Sequence, residues 1–328
     1  MTIRVSVVVP TYRRPELLSR CLAALTAQDF DPAAYEVIVA DDAPSDETRR
    51  LVEAWSERVG PVVRYVSLTH AHGPAAARNA GWRAARGDIL AFTDDDTIPD
   101  PGWLRAGLAA FVDGVVGATG QILMPLPPTP TDYERNEAGL EQAEFATANC
   151  FYRRDAIAAV GGFDERFTTA WREDADLFLT LLERAGKNGH RGRLVHAPEA
   201  IVVHPCRPAP WGISLVQQRK SLFNALLYKK HPALYRERIQ PAPPWGYYGS
   251  VGALLAALVA ALLGSGRAVL AASVVWLVLT GRFCARRLRG TSNAPCHVAE
   301  MAVTSALIPP LCVFWRLFGA LKHRVVFL

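Results

Sequence analysis

GDILAFTDDD, residues 87–96, sets an apolar run almost directly against three adjacent carboxylates. Ile89 to Phe92 reads as a short buried strand, and after one threonine come Asp94, Asp95 and Asp96. Like charges at that spacing raise one another's pKa and oppose folding. Most charge runs are solvated loops. The alternative is that a cation offsets these three, and the surrounding chain has to decide.

Upstream, the same device appears twice more. SVVVP (6–10) is a β-branched run that leads into Thr11-Tyr12-Arg13, and EVIVA (36–40) leads into Asp41-Asp42. Between and after them lie segments with helical spacing: residues 15–27 with Leu17, Leu18, Cys21, Leu22 and Leu25, and residues 46–58 with Leu51, Val52 and Trp55. PVVRYVSL (61–68) reads as a third strand, and residues 73–85 as an Ala-rich helix with Pro74 in its first turn. Strand-helix alternation of this kind predicts an α/β fold, a mostly parallel sheet with helices on both faces. Ligands of such sheets sit at the carboxyl ends of the strands. Three polar clusters gathered at one sheet edge therefore mark a site.

Downstream, LMPLPPTPT (123–131) reads as a mobile surface loop beside a cleft, not a domain boundary. FATANCFY (145–152) is predicted to be a strand and residues 153–160 a short helix closed by Gly161-Gly162. Residues 174–184 form an amphipathic helix with Leu177, Leu181 and Leu182 inward, AIVVH (200–204) is a last strand, and 212–230 a helix of mixed basic and apolar residues. There is no internal repeat.

After Pro244 the composition changes. Residues 247–263 carry no charge, nor do 268–280, and GSGR (264–267) joins them. Each run is short for a spanning helix, which needs about 20 residues, but the tight join predicts a helical hairpin. Lys229, Lys230, Arg236 and Arg238 precede it, and Arg282, Arg286, Arg287 and Arg289 follow, which places both ends on the cytoplasmic side. A third apolar stretch, 298–320, is interrupted by Glu300, Pro309-Pro310 and Arg316; it either spans or is re-entrant or interfacial, and Lys322, His323 and Arg324 beyond it favour the latter. The expected division is a catalytic domain over 1–240 and a membrane region over 245–328. The 328 residues carry a net charge of +5. Because the basic residues cluster beside apolar runs, an anionic lipid surface suits them better than a nucleic acid. Six scattered cysteines form no CxxC pair, which speaks for free thiols in a reducing compartment. MTIRVSVVVP is too short and too soon broken by proline to be a signal peptide, so the catalytic part is expected on the cytoplasmic side of the inner membrane.

SVVVPTYRR, VIVADDAPSDET, GPAAARNAGWRAARGDILAFTDDD, GGFDE and WREDADL, in that order, resemble the family 2 glycosyltransferases over residues 4–230. The resemblance implies the fold called GT-A and transfer of a sugar, of hexosyl type, from a nucleoside-diphosphate sugar to a lipid-linked or glycan acceptor at the membrane. It implies that Asp94 and Asp96 hold Mg²⁺ or Mn²⁺, hard ions that prefer carboxylate oxygen, and that Asp95 contacts the donor sugar or ribose. Pro10, Thr11, Tyr12 and Arg13 lie where the family packs the nucleotide base. Asp42, or else Asp41, reads that base, and Arg78 contacts the nucleotide. Asp174 is implied as the general base, with Glu173 beside it in acceptor binding, and Trp171 and Asn149 also fall on the acceptor side. His204 either is structural or completes the metal site. Gln217-Gln218-Arg219 lacks the tryptophan of processive relatives and its spacing is loose, so it matches their pattern only in part and leaves single or repeated transfer open. A sugar nucleotidyltransferase would need a Gly-rich phosphate loop that VVVPTYRRP lacks. A catalytically inactive nucleotide-binding scaffold of a polysaccharide assembly complex would not need the carboxylates that are present. A soluble binding protein would not need the uncharged hairpin.

Overall fold

A computed structural model describes residues 2–69, 72–186 and 192–328. The chain divides into two compact units, one of Met1–Pro125 with Gly139–Pro205, the other of Leu126–Ala138 with Cys206–Leu328.

The first unit is built on one sheet. The β-branched run Val5–Thr11 forms β1, with Val5, Val7, Val8 and Val9 fully buried. A strand covered on both faces reads as a continuous apolar run. α1 (Pro15–Thr26) buries Leu18, Cys21, Leu22 and Leu25. β2 (Tyr35–Asp41), α2 (Asp46–Ser56), β3 (Val62–Ser67), α3 (Pro74–Ala84) and β4 (Ile89–Phe92) follow in alternation. Ser45 caps α2 by accepting from Thr48 N, and Pro74 opens α3, where its missing N–H is no loss. β5 (Ile98–Pro99), α4 (Trp103–Ala109) and β6 (Val115–Leu123) come next, then β7 (Cys150–Arg153), α6 (Arg154–Val160), α7 (Glu173–Gly186) and β8 (Arg193–Val203), with α5 belonging to the second unit.

The sheet order is β3-β2-β1-β4-β7-β6-β8-β5. β3, β2, β1 and β4 are parallel neighbours, as are β6 and β8; β7 runs antiparallel to both its neighbours, and β5 to β8. The chain winds outward from β1 to β3, then returns through α3 to β4 on the other side of β1. That reversal makes β1/β4 a switch point, where crevices open at the carboxyl ends of strands. Close packing holds α3 and α4 to the sheet. A Cβ on Gly81 would collide with Val8, and one on Gly107 with the Phe151 ring.

The strand expected over 145–152 begins only at Cys150. The preceding residues turn, with Phe145 at φ 53°, and Phe145 stacks on Phe178 instead of entering the sheet.

In the second unit the Pro-rich stretch leads into a helix, α5 (Asp132–Glu137), opened by a capping box in which the Thr131 hydroxyl accepts from Glu134 N and the Glu134 carboxylate accepts from Thr131 N. α8 (Ile213–Gln217), a 3₁₀ turn and α9 (Leu222–Lys230) occupy the expected helix, followed by the single turn α10 (Pro232–Leu234). α11 (Trp245–Leu262) and α12 (Gly266–Leu288) form the hairpin, turned at Gly264 with φ +72°. α13 (Pro295–His323) is continuous through Pro309-Pro310. Glu300 in it accepts from Gly212 N, and buried Arg316 donates through Nη1 to Gln240 and covers the Phe327 ring. α11, α12 and α13 are all long and apolar enough to cross a membrane.

Candidate active site

Three strand ends bring the polar clusters together. Thr11 at the end of β1 pairs in register with Asp41 at the end of β2. β4 lies on the other flank of β1 and delivers Asp94, Asp95 and Asp96 just beyond Phe92. Each carboxylate has a defined neighbour. Thr11 Oγ1 donates to Asp95 Oδ2 at 2.7 Å, and Arg14 Nη1 donates to Asp95 Oδ1 at 2.9 Å and to Asp96 Oδ2 at 3.5 Å. The turn itself is held by Thr97, whose hydroxyl donates to Asp94 O and meets Thr93 Oγ1, both at 2.7 Å. Cys21 Sγ donates to the same Asp94 carbonyl. Burial nevertheless pushes the Asp95 carboxyl up to about 6, against the opposing pull of Arg14.

His204 follows β8, its N–H donating to Leu123 O, and its Nε2 lies 3.5 Å from Asp96 Oδ1. One ligand atom from each of Asp94, Asp96 and His204 falls within 4.8 Å of the others. Two carboxylates and an imidazole suit a hard or borderline divalent ion, so these residues fit a metal. His204 Nδ1 is buried without a hydrogen-bond partner among the described residues.

The second carboxylate cluster opens α7. Arg172 just before it has φ +78°, and Glu173 and Asp174 are its first two residues. Burial raises both carboxyls, Glu173 to about 7 with the Asp174 charge adding to the rise, while Arg78 and the Ala175 N–H work against the rise at Asp174. Arg78, buried on α3, donates from Nη1 to Glu173 Oε1 at 2.9 Å and from Nη2 to Asp94 Oδ1 at 2.8 Å. Among the described residues Glu173 Oε2, Arg78 Nε and Thr169 Oγ1 are buried without partners. Unpaired buried polar atoms in such number call for a reason, and a ligand site supplies one.

The remaining expected residues divide. Asp41 is fully buried, accepting from Tyr65 OH and Ala43 N. Asp42 is more open, and both its oxygens accept from Gly73 N at 2.9 Å. Gly73 has φ +103°, a conformation glycine adopts at no steric cost. Pro10 is half-buried in β1. Tyr12 is 47% exposed, with the Arg13 guanidinium 5.3 Å from its ring. Trp171 lies at the surface under the Arg172 guanidinium.

Asn149, expected on the acceptor side, lies in the core of the first unit. It is fully buried, its amide donates to Gln121 O and Ala200 O, and its carbonyl accepts from Trp103 Nε1. These bonds join β6, β8 and α4. The residue that sequence reasoning missed is Arg14. Arg13 takes φ 53° and turns to Tyr12, which leaves its neighbour facing the triplet.

Sequence profiles described as Glycosyl transferase family 2 and Glycosyl transferase family group 2 match residues 6–168 and 89–317. Glycosyltransferase AglE of Haloferax volcanii is 30% identical over 62% of this chain and 67% of its own length. Pre-mycofactocin glycosyltransferase of Mycobacterium tuberculosis is 30% identical over 91% of this chain and 61% of its own length, so the chain spans about two thirds or less of these relatives. Among solved structures, the mannosyltransferase PcManGT from Pyrobaculum calidifontis, in complex with GDP-Man and Mn²⁺, superposes with a TM-score of 0.55 at 19% identity, covering 99% of this chain and 88% of that one. The likeness shows the GT-A fold. The group-level profile spans both carboxylate clusters and Arg78 lies within the other: the chain belongs to the family 2 glycosyltransferases.

Proposed function

We propose that this glycosyltransferase moves a sugar from a nucleoside-diphosphate donor, with a divalent ion and with inversion, to a hydroxyl on a membrane-associated acceptor. The observation that carries the reading is the gathering of Asp94, Asp96 and His204 at one sheet edge, with the Glu173–Asp174 pair joined to it through Arg78. Asp94, Asp96 and His204 would hold Mg²⁺ or Mn²⁺, which when bound offsets the charge of the leaving diphosphate. The PcManGT complex holds Mn²⁺ with its sugar nucleotide, which supports the ion here.

The chain's own residues supply the rest. Asp95, held by Thr11 and Arg14, faces the donor's sugar or ribose, and Pro10, Tyr12, Arg13 and Asp42 form the nucleotide side. Asp174 accepts the proton of the incoming hydroxyl, a task helped by the burial that raises its pKa above the ordinary carboxylate range. Glu173 and Trp171 orient the acceptor. α11, α12 and α13 would anchor the chain in a cytoplasmic membrane, with Arg282, Arg286 and Arg289 toward anionic headgroups on the side where the catalytic residues work. A thermal-shift panel of UDP-, GDP- and dTDP-sugars with and without Mn²⁺ tests the donor half, since a ligand that binds the folded state stabilises it. A Mn²⁺-dependent shift with one nucleotide class is expected. No shift with any of them, in protein shown to be folded, would overturn it.

A further inference from the structure

Arg78 lies on α3 with its side chain 4% exposed, and its two Nη atoms reach two different carboxylates. Nη2 is 2.8 Å from Asp94 Oδ1 and Nη1 is 2.9 Å from Glu173 Oε1. The sequence implied a nucleotide contact for this residue, yet both Nη atoms are engaged by protein. A planar guanidinium can bridge two carboxylates in this way, whereas a lysine ammonium is a single point of charge. Glu173 depends on this contact, because its second oxygen is buried with no partner among the described residues.

We propose that Arg78 is a positioning residue whose fork couples Asp94 to Glu173, so that what engages one carboxylate changes the guanidinium's hold on the other. The inference rests on the reading that Asp94 helps hold a divalent ion. Arg78 and the ion compete for the charge of Asp94. Glu173 draws the guanidinium aside and shares its charge. Without the Glu173 charge, Arg78 turns wholly to Asp94 and the ion binds more weakly. Coupling is reciprocal, so an ion on Asp94 shifts Arg78 toward Glu173 by the same free energy. The two ends of the site would then be set together: the ion's arrival fixes the carboxylate beside the proposed base.

The test is a double-mutant cycle read as Mn²⁺ affinity, by electron paramagnetic resonance of the free ion, on the full chain in detergent. The variants are Glu173→Gln, Arg78→Gln and the pair. Glu173→Gln is expected to weaken Mn²⁺ binding about tenfold when Arg78 is present, and by less than about threefold when it is not. A structural role alone would lower the melting temperature without making the effect of Glu173→Gln depend on residue 78. Should Arg78→Gln fail to fold, Arg78→Lys serves as the second background. It keeps the charge but reaches one carboxylate, so the dependence should be lost there too. Equal effects of Glu173→Gln in both backgrounds would overturn the coupling and leave the ion site standing. No Mn²⁺ binding to the unmodified protein would overturn the ion reading and the coupling with it.

Discussion

The two carboxylate clusters of the catalytic unit are built on opposite plans. Asp95 and Asp96 are met from outside their own loop, by Thr11 and Arg14 beyond β1, while Thr97 fixes the turn from behind. Glu173 and Asp174 are two acids at a helix start that both feel the Arg78 guanidinium, with Arg172 also acting on Asp174, and Arg78 is shared again with Asp94. The first brings one ligand atom each from Asp94, Asp96 and His204 within 4.8 Å of one another, an arrangement that fits a cation. The second is buried, which raises both its carboxyls, Glu173 to about 7, the direction that suits the proton acceptor proposed there. Acid clusters that look alike in sequence are thus separated by which neighbours the fold sets around them: Thr11, Arg14 and His204 at the first, Arg78 and Arg172 at the second.

The largest effect should follow from removing the proposed base. Asp174→Asn is expected to lower kcat by about 10²–10⁴-fold while leaving nucleotide-sugar binding unchanged by calorimetry. Loss of donor affinity in that variant would erase the functional difference between the clusters. Next comes the compensating cation. Arg14→Ala leaves two buried acids without it and should reduce stability by roughly 1–3 kcal/mol, less than for a fully buried pair because Arg14 is 32% exposed. Adding Mn²⁺ should recover most of the drop in melting temperature. A drop that ignores Mn²⁺ would mean Arg14 matters for packing only.

A packing change supplies the contrast. Gly107→Ala sets a methyl group against the Phe151 ring, at a cost of about 1–3 kcal/mol, and should leave Mn²⁺ and nucleotide affinity untouched. The smallest effect is on pH dependence. The folded pKa of Glu173, about 7, lies above its ordinary 4.5. The fold therefore favours the protonated form, and this group's contribution is fully present below pH 4.5 and lost as pH rises through 7. Glu173→Gln should flatten the fall in melting temperature across that window. An unchanged slope would mean the fall belongs to Asp174 or another group.

Much of the first unit was legible because its signals are local. β1, β2 and β4 each carry a short β-branched or apolar run, and α1 shows leucines at helical spacing. β6, VVGATGQIL, escaped notice because glycine and polar residues interrupt it; tertiary contact explains them, Gly120 admitting Asn149 and Ala200 at close range. α5 was hidden by the prolines before it, although Thr131 and Glu134 carry the spacing of a capping box. The proline pair in α13 suggested an interruption that the structure does not make. Prolines inside a helix give up backbone hydrogen bonds, and neighbouring helices compensate; here Pro309 is buried.

In the site, residue types and order revealed the carboxylates, but direction was not legible. Nothing in TYRRP says which arginine turns inward, and Arg14 does so because its predecessor takes a left-handed conformation. Nothing in TANC says that Asn149 faces the core.

Calorimetric titration of Mn²⁺ into the unmodified protein, Asp96→Asn and Asp174→Asn puts the contrast between the clusters to the most direct trial. Binding that is abolished by Asp96→Asn and kept by Asp174→Asn is the outcome expected if the first cluster holds the ion and the second handles the proton. Binding that survives Asp96→Asn, or fails equally in both, would contradict it.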